Sequence, residues 1–283
     1  MLQFVTAACV FVSGLGMGLV PIFFTRDFKF LKVFSGGIIL GLSVIHVIPD
    51  GLETFSEIID YPVGGIFICG GVVSLILLNF ILTWYAEKSY KHEHHKLPVN
   101  HECPLETSHQ HGCVSVLSPS QTAQIVSKIG TSYIMEFGCM FHSLIIGLSA
   151  GIITDNDSLL ITLMIALIFH QGFEGFALGT ILSETRTFSL KKRFLMVLFY
   201  SIVTPLGICI GYGISDLYDH ESYSYKFVEG SLNCFSGGLL LYVSLYNLLC
   251  EEFTQVSSLK SKFAMFGSVL LGIGFMAIIA IWN

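Results

Sequence analysis

Apolar residues occur along the chain in long runs, and polar residues collect between these runs. Eight runs are long enough to cross about 30 Å of hydrocarbon as helices, at about 3–24, 33–49, 63–85, 131–153, 158–182, 194–214, 228–249 and 263–282. One long polar insert, residues 86–130, separates three spans from five and is predicted to be a mobile loop. The pattern predicts an all-α polytopic membrane protein with eight transmembrane helices, in one domain covering residues 1–283.

The composition excludes an ordinary soluble protein. Hydrophobic residues make up 53% of the 283 residues and charged residues only 12%, which is about half the charged share of a soluble domain. The net charge of -6 argues against nucleic acid as a partner, because phosphate binding needs a clustered basic surface. The expected surroundings are therefore the lipid bilayer.

The basic residues indicate how the chain is oriented. All of the 14 Lys and Arg residues except Lys226 fall in alternate loops, on one side of the predicted topology. Cytoplasmic loops retain Lys and Arg, so this side is predicted to be cytosolic. Both termini are then extracytoplasmic and the long insert is cytosolic. No address signal is evident, and the plasma membrane is the expected location.

Three ionisable residues lie at membrane depth. His142 is near the middle of the fourth span, His170 is near the middle of the fifth, and Glu174 follows four residues later. Helix positions four apart share a face, and the antiparallel connection of the two spans brings His142 to the same depth. Two imidazoles and a carboxylate are suitable ligands for zinc or iron(II). The sequence therefore predicts a metal site in this central helix pair.

Neighbouring polar residues have more than one interpretation. Ser143 and Gln171 are either additional ligands or hydrogen-bond partners that hold the imidazoles. A single buried His is more often a hydrogen-bonded core residue, but two His with Glu174 favour a metal, because unpaired ionisable groups inside a span are costly. Glu136, near the cytosolic end of the fourth span, is either a second metal or proton station or an interhelical hydrogen-bond partner.

A short motif occurs twice in helices that run in opposite directions. Phe34-Ser35-Gly36-Gly37 recurs as Phe235-Ser236-Gly237-Gly238, and the same register aligns Ser43 with Ser244, His46 with Asn247 and Asp50 with Glu251. The match predicts an inverted repeat relating helices 1–3 to helices 6–8, as in secondary transporters. A chance match is the alternative. In a transporter, His46 and Asp50 line the outer mouth, whereas Asn247 and Glu251 line the inner one. Asp50 and Glu251 are otherwise solvated helix ends.

The polar insert is rich in histidine. Six of the ten His residues of the chain lie there, at His92, His94, His95, His101, His109 and His111. Short His-rich tracts bind metal ions weakly while they are disordered. The insert is predicted to collect or sense metal on the cytosolic side, and a polar linker without that role is the alternative.

The central motifs resemble a known family. His142-Ser143-Leu144-Ile145-Ile146-Gly147 and His170-Gln171-Gly172-Phe173-Glu174-Gly175 are similar to the fourth- and fifth-span signatures of the ZIP (Zrt/Irt-like) metal transporters, closest to the plant and fungal branch. His46-Val47-Ile48-Pro49-Asp50, the eight predicted spans and the His-rich third loop extend the resemblance over nearly the whole chain.

The resemblance implies import of zinc, iron(II) or a related divalent ion into the cytosol. Family members are thought to use an elevator-like motion of one helix group against another, often as homodimers. The main site of the family maps onto His142, His170 and Glu174. Members with two metals carry a bridging Glu four residues after the fourth-span His, and Ile146 at that position implies a single-metal site. Many relatives have an acidic residue where this chain has Asn247.

Two other functions fit a membrane metal site less well. An intramembrane zinc hydrolase needs three protein ligands, a bound water and a separate base, but no HExxH motif is present and Glu174 is a predicted ligand. A metal-sensing or scaffold membrane protein would use the same site structurally, but a structural zinc site usually has four strong ligands, and only three are evident. The metal is therefore expected to be a transported substrate rather than a catalytic cofactor, in a protein that is not an enzyme.

Overall fold

The computed structural model describes residues 1–24, 28–94, 119–154, 156–185, 187–215 and 222–280, and the side chains at 86–87, 89–94 and 119–127 lie outside this description. These ranges contain eight long helices. They are α1 Leu2–Phe23, α2 Lys29–Ser56, α3 Val63–His94, α4 Pro119–Ile152, α5 Asp157–Glu184, α6 Leu190–Ile214, α7 Tyr223–Gln255 and α8 Leu259–Ile279.

All eight helices are long and apolar enough to cross a membrane. No strand occurs in the ranges just given, and large apolar side chains such as Ile76, Leu77 and Phe80 of α3 lie on the outer surface. Helices satisfy their own backbone hydrogen bonds, which lipid cannot do for them. The chain is therefore an integral multi-pass membrane protein, and the predicted all-α fold with eight spans is confirmed.

The predicted mobile loop over residues 86–130 is wrong at both ends. The α3 helix continues to His94, and α4 begins at Pro119. Hydropathy marks only the part of a helix that fits in lipid, whereas an established helix gains one backbone hydrogen bond for each residue it adds. For the same reason α2 and α7 extend beyond the predicted limits 33–49 and 228–249.

Close glycine contacts pair α1 with α5 and α4 with α6, and Gly18 of α1 also lies against Val197 of α6, so these four helices form one group. Gly175 and Gly179 of α5 face backbone carbonyl oxygens of α1, and Gly147 and Gly151 of α4 face those of α6. A Cβ atom at any of these four positions would overlap the facing oxygen, so only glycine permits this approach. We call these four helices the histidine group, since α4 and α5 carry His142 and His170.

The other four helices form a second group, in which α2 packs on α8 and α7 packs on α3. We call them the outer group. Their contacts occur in equivalent pairs: Gly37 faces the carbonyl of Val269 as Gly238 faces that of Ile68, and Gly272 faces that of Phe34 as Gly71 faces that of Phe235. The separation along the chain is the same between every residue and its equivalent. The two interfaces therefore have the same register.

Two helices of the outer group contain a π-helical segment, Leu42–Val47 in α2 and Val243–Cys250 in α7. The two segments begin at equivalent positions of the recurring Phe-Ser-Gly-Gly register. Such segments often occur at functional sites, because the extra residue redirects side chains. Hydropathy and motif spacing did not predict them.

Candidate metal centre

A cavity of about 190 Å³ reaches the middle of the molecule from the end where α4 turns into α5. We call this end the cavity end. The helix start at Leu2 and the α8 residue Met276 also lie there, since Met276 lines the cavity and Gln3 bonds to the carbonyl of Ile153 beside the turn. The ionisable and amide side chains that line the cavity are His46, Asp50, His142, His170, Glu229 and Asn233.

The two midspan histidines lie together in this cavity. His142 and His170 are each only 2% exposed, and their ring centroids are 6.1 Å apart. The Nε2 atom of each ring is buried without a hydrogen-bond partner. Buried polar atoms are normally paired, and imidazole Nε2 is a common metal-binding atom. Both rings therefore have a nitrogen available for a metal ion.

The other side of each ring is held by the protein. The Nδ1 atom of His142 lies 2.8 Å from Oγ of Ser236 in α7, and the ring of His170 bonds to the backbone of Ala166 in its own helix. An imidazole that donates through Nδ1 keeps the lone pair of Nε2 free for a metal. The sequence singled out Ser236 only as part of a repeated motif, and its contact with His142 was not predicted.

Glu174 lies one helical turn beyond His170 and is fully buried. The hydroxyl of Tyr200 lies 3.1 Å from its Oε2 and 2.9 Å from the carbonyl oxygen of Gln171, whereas its Oε1 has no partner. Glu174 does not line the cavity. The sequence contained no signal for Tyr200, because a Tyr in an apolar helix is usually a core residue.

The predicted ligands do not close on a single point in this conformation. Among the residues in the ranges the structure covers, no group of three or more His, Cys, Asp and Glu could hold a metal ion. His142 and His170 share the cavity, but the carboxylate of Glu174 lies next to Tyr200 instead. The three unpartnered buried atoms still fit a divalent ion, because imidazole nitrogen and carboxylate oxygen both ligate such metals.

The residues next to these histidines contact each other. Ser143 and Gln171 are fully buried, and Oγ of Ser143 donates to Oε1 of Gln171 across 3.4 Å. Neither lines the cavity, whereas Ile146 does. The position that the family resemblance assigns to a second-metal ligand therefore carries an apolar side chain on the cavity wall.

The predicted pathway residues divide between the two ends of the molecule. His46 and Asp50 line the cavity, opposite Glu229 and Asn233 of α7, two residues that the sequence did not single out. Asn247 lies in the π-helical segment of α7, is 2% exposed, and has no hydrogen-bond partner for either amide atom.

Towards the opposite end, Glu251 lines a small space of about 10 Å³ beside Lys128 and Glu184. Glu136 is half-buried in α4, and its carboxylate interacts electrostatically with the positive charge of Lys192. His92 and His94 lie in the last turn of α3, where side chains are not described, and the other four His residues of the insert, His95, His101, His109 and His111, lie outside the described residues.

A buried ionic cluster joins three helices at the end opposite the cavity, which we call the closed end. Nζ of Lys32 in α2 lies 2.6 Å from Oε1 of Glu252 in α7 and 3.0 Å from Oε2 of Glu184 in α5. The sequence counted Lys32 as a loop residue. The overlooked signal was two acidic residues at helix ends on the side that is otherwise rich in Lys and Arg.

Comparison with known proteins agrees with this geometry. The family described as ZIP Zinc transporter matches residues 2–280. The chain is 33% identical to "Fe(2+) transport protein 2" of Arabidopsis thaliana over 274 residues, covering 91% of this chain and 77% of that protein. It is 32% identical to "Zinc transporter 5" of Oryza sativa subsp. japonica over 276 residues, covering 91% and 78%. These matches place it among transporters rather than enzymes, and the chain belongs to the ZIP zinc transporter family.

Proposed function

We propose that this protein imports a divalent transition-metal ion, zinc or iron(II), into the cytosol by alternating access. The observation that carries the proposal is the pair of buried histidines, each with an unpartnered Nε2, that line a cavity reaching the cavity end of the molecule. The ion is the substrate and not a cofactor. The names of the relatives, which include zinc and Fe(2+) transporters, support this choice of ions.

The charge distribution supports an inward direction of transport. Asp50 and Glu229 line the cavity, whereas Lys128 and Lys192 lie towards the closed end. By the positive-inside rule, the closed end faces the cytosol and the cavity opens outside. Both termini then face outside, with the plasma membrane as the expected location. Acidic groups at the cavity raise the local concentration of cations.

The paired contacts of the outer group support an inverted repeat. The α2–α8 interface and the α7–α3 interface use equivalent glycines, and both π-helical segments begin at equivalent positions. In transporters with such repeats, the two halves exchange conformations, which moves the access path from one side to the other. We infer that the histidine group moves as a unit against the outer group.

The proposed ligands are His142, His170 and Glu174, with Ser143 and Gln171 supporting them. Glu174 joins the ion when its carboxylate turns away from Tyr200, so the ligand set closes only after the ion has entered. A ligand set that is incomplete in this conformation favours a modest affinity for the metal ion, and an importer needs modest affinity to release the ion into the cytosol. Metal capture by the His-rich insert and assembly as a homodimer stay predictions.

Uptake of radioactive zinc into vesicles that contain the purified protein tests the proposal. Ala at His142, His170 or Glu174 is expected to abolish uptake, because each change removes a donor from a small ligand set. Ser231→Ala is the matched control, since Ser231 bonds only to the carbonyl of Phe227 in its own helix. Uptake that survives all three ligand changes would show that the site is elsewhere.

The same vesicles distinguish a transporter from the hydrolase that the sequence left as an alternative, because a hydrolase moves no ions. Membership of a transporter family gives the hydrolase no support. Competition of radioactive zinc with unlabelled iron(II), manganese and cadmium ranks the substrates. Imidazole and carboxylate ligands suit several of these ions, so only the measured order decides among them.

A further inference from the structure

Ser236, which contacts the ring of His142, has an equivalent serine in α2 whose hydroxyl has no hydrogen-bond partner. Ser236 lies 2.8 Å from Nδ1 of His142, and its equivalent in the repeated motif is Ser35 of α2. Ser35 is fully buried, and its Oγ has no hydrogen-bond partner. By the symmetry of the repeat, the partner of Ser35 would be His170, but that ring bonds to the backbone of Ala166.

Aromatic contacts show how far the two helix interfaces differ. Phe235, next to Ser236, packs on Phe141, next to His142, with ring centroids 5.4 Å apart. The equivalent contact in the other half would join Phe34 to Phe169. Instead Phe34 packs on Phe173 at 5.3 Å, and Phe169 packs on Phe275.

The α5 helix is therefore displaced along α2 by four residues, relative to the position of α4 along α7. Four residues correspond to about 6 Å of helix. The displacement carries His170 towards the cavity end and away from Ser35. If α5 slid back by one turn, Phe169 would meet Phe34, and His170 would lie beside Ser35.

Building on the proposed function, we propose that Ser236 and Ser35 are alternate positioning residues for the metal-binding histidines. Ser236 orients His142 while the cavity is open, and Ser35 orients His170 after the histidine group has moved by one turn. Each state then holds one imidazole by a side-chain hydroxyl from the outer group. The same one-turn movement breaks the first hydrogen bond and allows the second.

The proposal assigns each serine to one face of the membrane. Ser236 acts in the state that takes up metal from the cavity end, and Ser35 acts in the state that exchanges metal at the closed end. Loss of a group that orients a metal ligand typically lowers metal affinity by tenfold or more. Removing one hydroxyl should therefore weaken binding from one face and leave binding from the other face almost unchanged.

Zinc flux in sealed vesicles, measured separately from each face, tests this assignment. Ser236→Ala is expected to raise the half-saturating zinc concentration about tenfold from the cavity end and to leave it unchanged from the closed end. Ser35→Ala is expected to do the opposite. Ser231→Ala, on the same helix as Ser236, is the control that should change neither value.

Equal changes from both faces, or no change in either variant, would overturn the assignment of the serines while wild-type flux and the ligand variants still support transport. Absence of zinc flux in the wild type would instead contradict the proposed function.

A second measurement, the crosslinking of introduced cysteines, does not depend on flux. Cysteines at Phe34 and Phe169 should be linked by a bifunctional thiol reagent only in the alternate state, and cysteines at Phe34 and Phe173 in the present one. Failure of the first pair under every metal condition would contradict the one-turn movement.

Discussion

The two ends of the molecule have similar backbones but different charges. At the closed end, Lys32 is buried between Glu252 and Glu184. In the register of the recurring Phe-Ser-Gly-Gly motif, the residue equivalent to Lys32 is Asn233, which lines the open cavity. Gly51 is equivalent to Glu252, so the cavity end lacks both the cation and its main buried partner. Equivalent glycine contacts therefore occur in both interfaces of the outer group, whereas the cluster around Lys32 has no counterpart at the cavity end among the residues described.

In the proposed transport cycle, this difference means that the two access states are held in different ways. The contact between Lys32 and Glu252 lies within the outer group, but the contact between Lys32 and Glu184 crosses to the histidine group. Only the second must break when the groups move against each other. In that cycle an ion pair between the two groups holds the closed end shut, whereas the ion pair described at the cavity end, Lys226 with Glu57, joins α7 to the end of α2 within the outer group.

The largest expected effect comes from Lys32→Ala. The change leaves the carboxylate of Glu252, only 2% exposed, without its cation, and loss of one partner from a buried pair costs about 3–5 kcal/mol. We expect a clear fall in the thermal unfolding temperature of the detergent-solubilised protein. Lys260→Ala, at an exposed position, is the control. An unchanged unfolding temperature would show that the cluster does not stabilise this end.

A smaller effect is expected from Glu184→Gln, which removes only the contact between the groups. The Glu184 side chain is 34% exposed, so its ion pair is worth up to about 1 kcal/mol, or about a fivefold change in the ratio of the two states. The alternate state should become more populated. Labelling of a cysteine placed at Asn233 by a membrane-impermeant thiol reagent should slow as the cavity closes.

Glu252→Gln provides the contrast for Glu184→Gln. The contact between Glu252 and Lys32 lies within the outer group. The substitution should therefore lower the thermal unfolding temperature without slowing the labelling at Asn233. Equal slowing in both variants would mean that the cluster acts as a whole and not as a link between groups.

The parts of this structure that depend on local composition were predictable from the sequence. Apolar runs identified all eight spans, and the run over 158–182 placed both His170 and Glu174 in α5. Contacts between distant segments were not predictable. Nothing near Ser236 in sequence indicates His142, and the acidic helix ends on the basic side indicate a partner for Lys32 without identifying Glu184. The hydrogen bond from Tyr200 to the carboxylate of Glu174 was not predictable either, because helix periodicity does not reveal contacts between helices.

The smallest expected effect tests whether charge at the cavity end matters. Asn233→Lys places a cation in the cavity, at the position equivalent to Lys32. The position equivalent to Glu252 is Gly51, so the new cation lacks the carboxylate that neutralises Lys32. A positive charge in the cavity repels incoming metal ions, so uptake should fall severalfold at low ionic strength, and added salt should reduce the difference. Asn233→Gln preserves the amide and is the matched control. If Asn233→Lys lowers uptake equally at every salt concentration, the added side chain obstructs the cavity sterically, and the charge difference between the two ends does not control access.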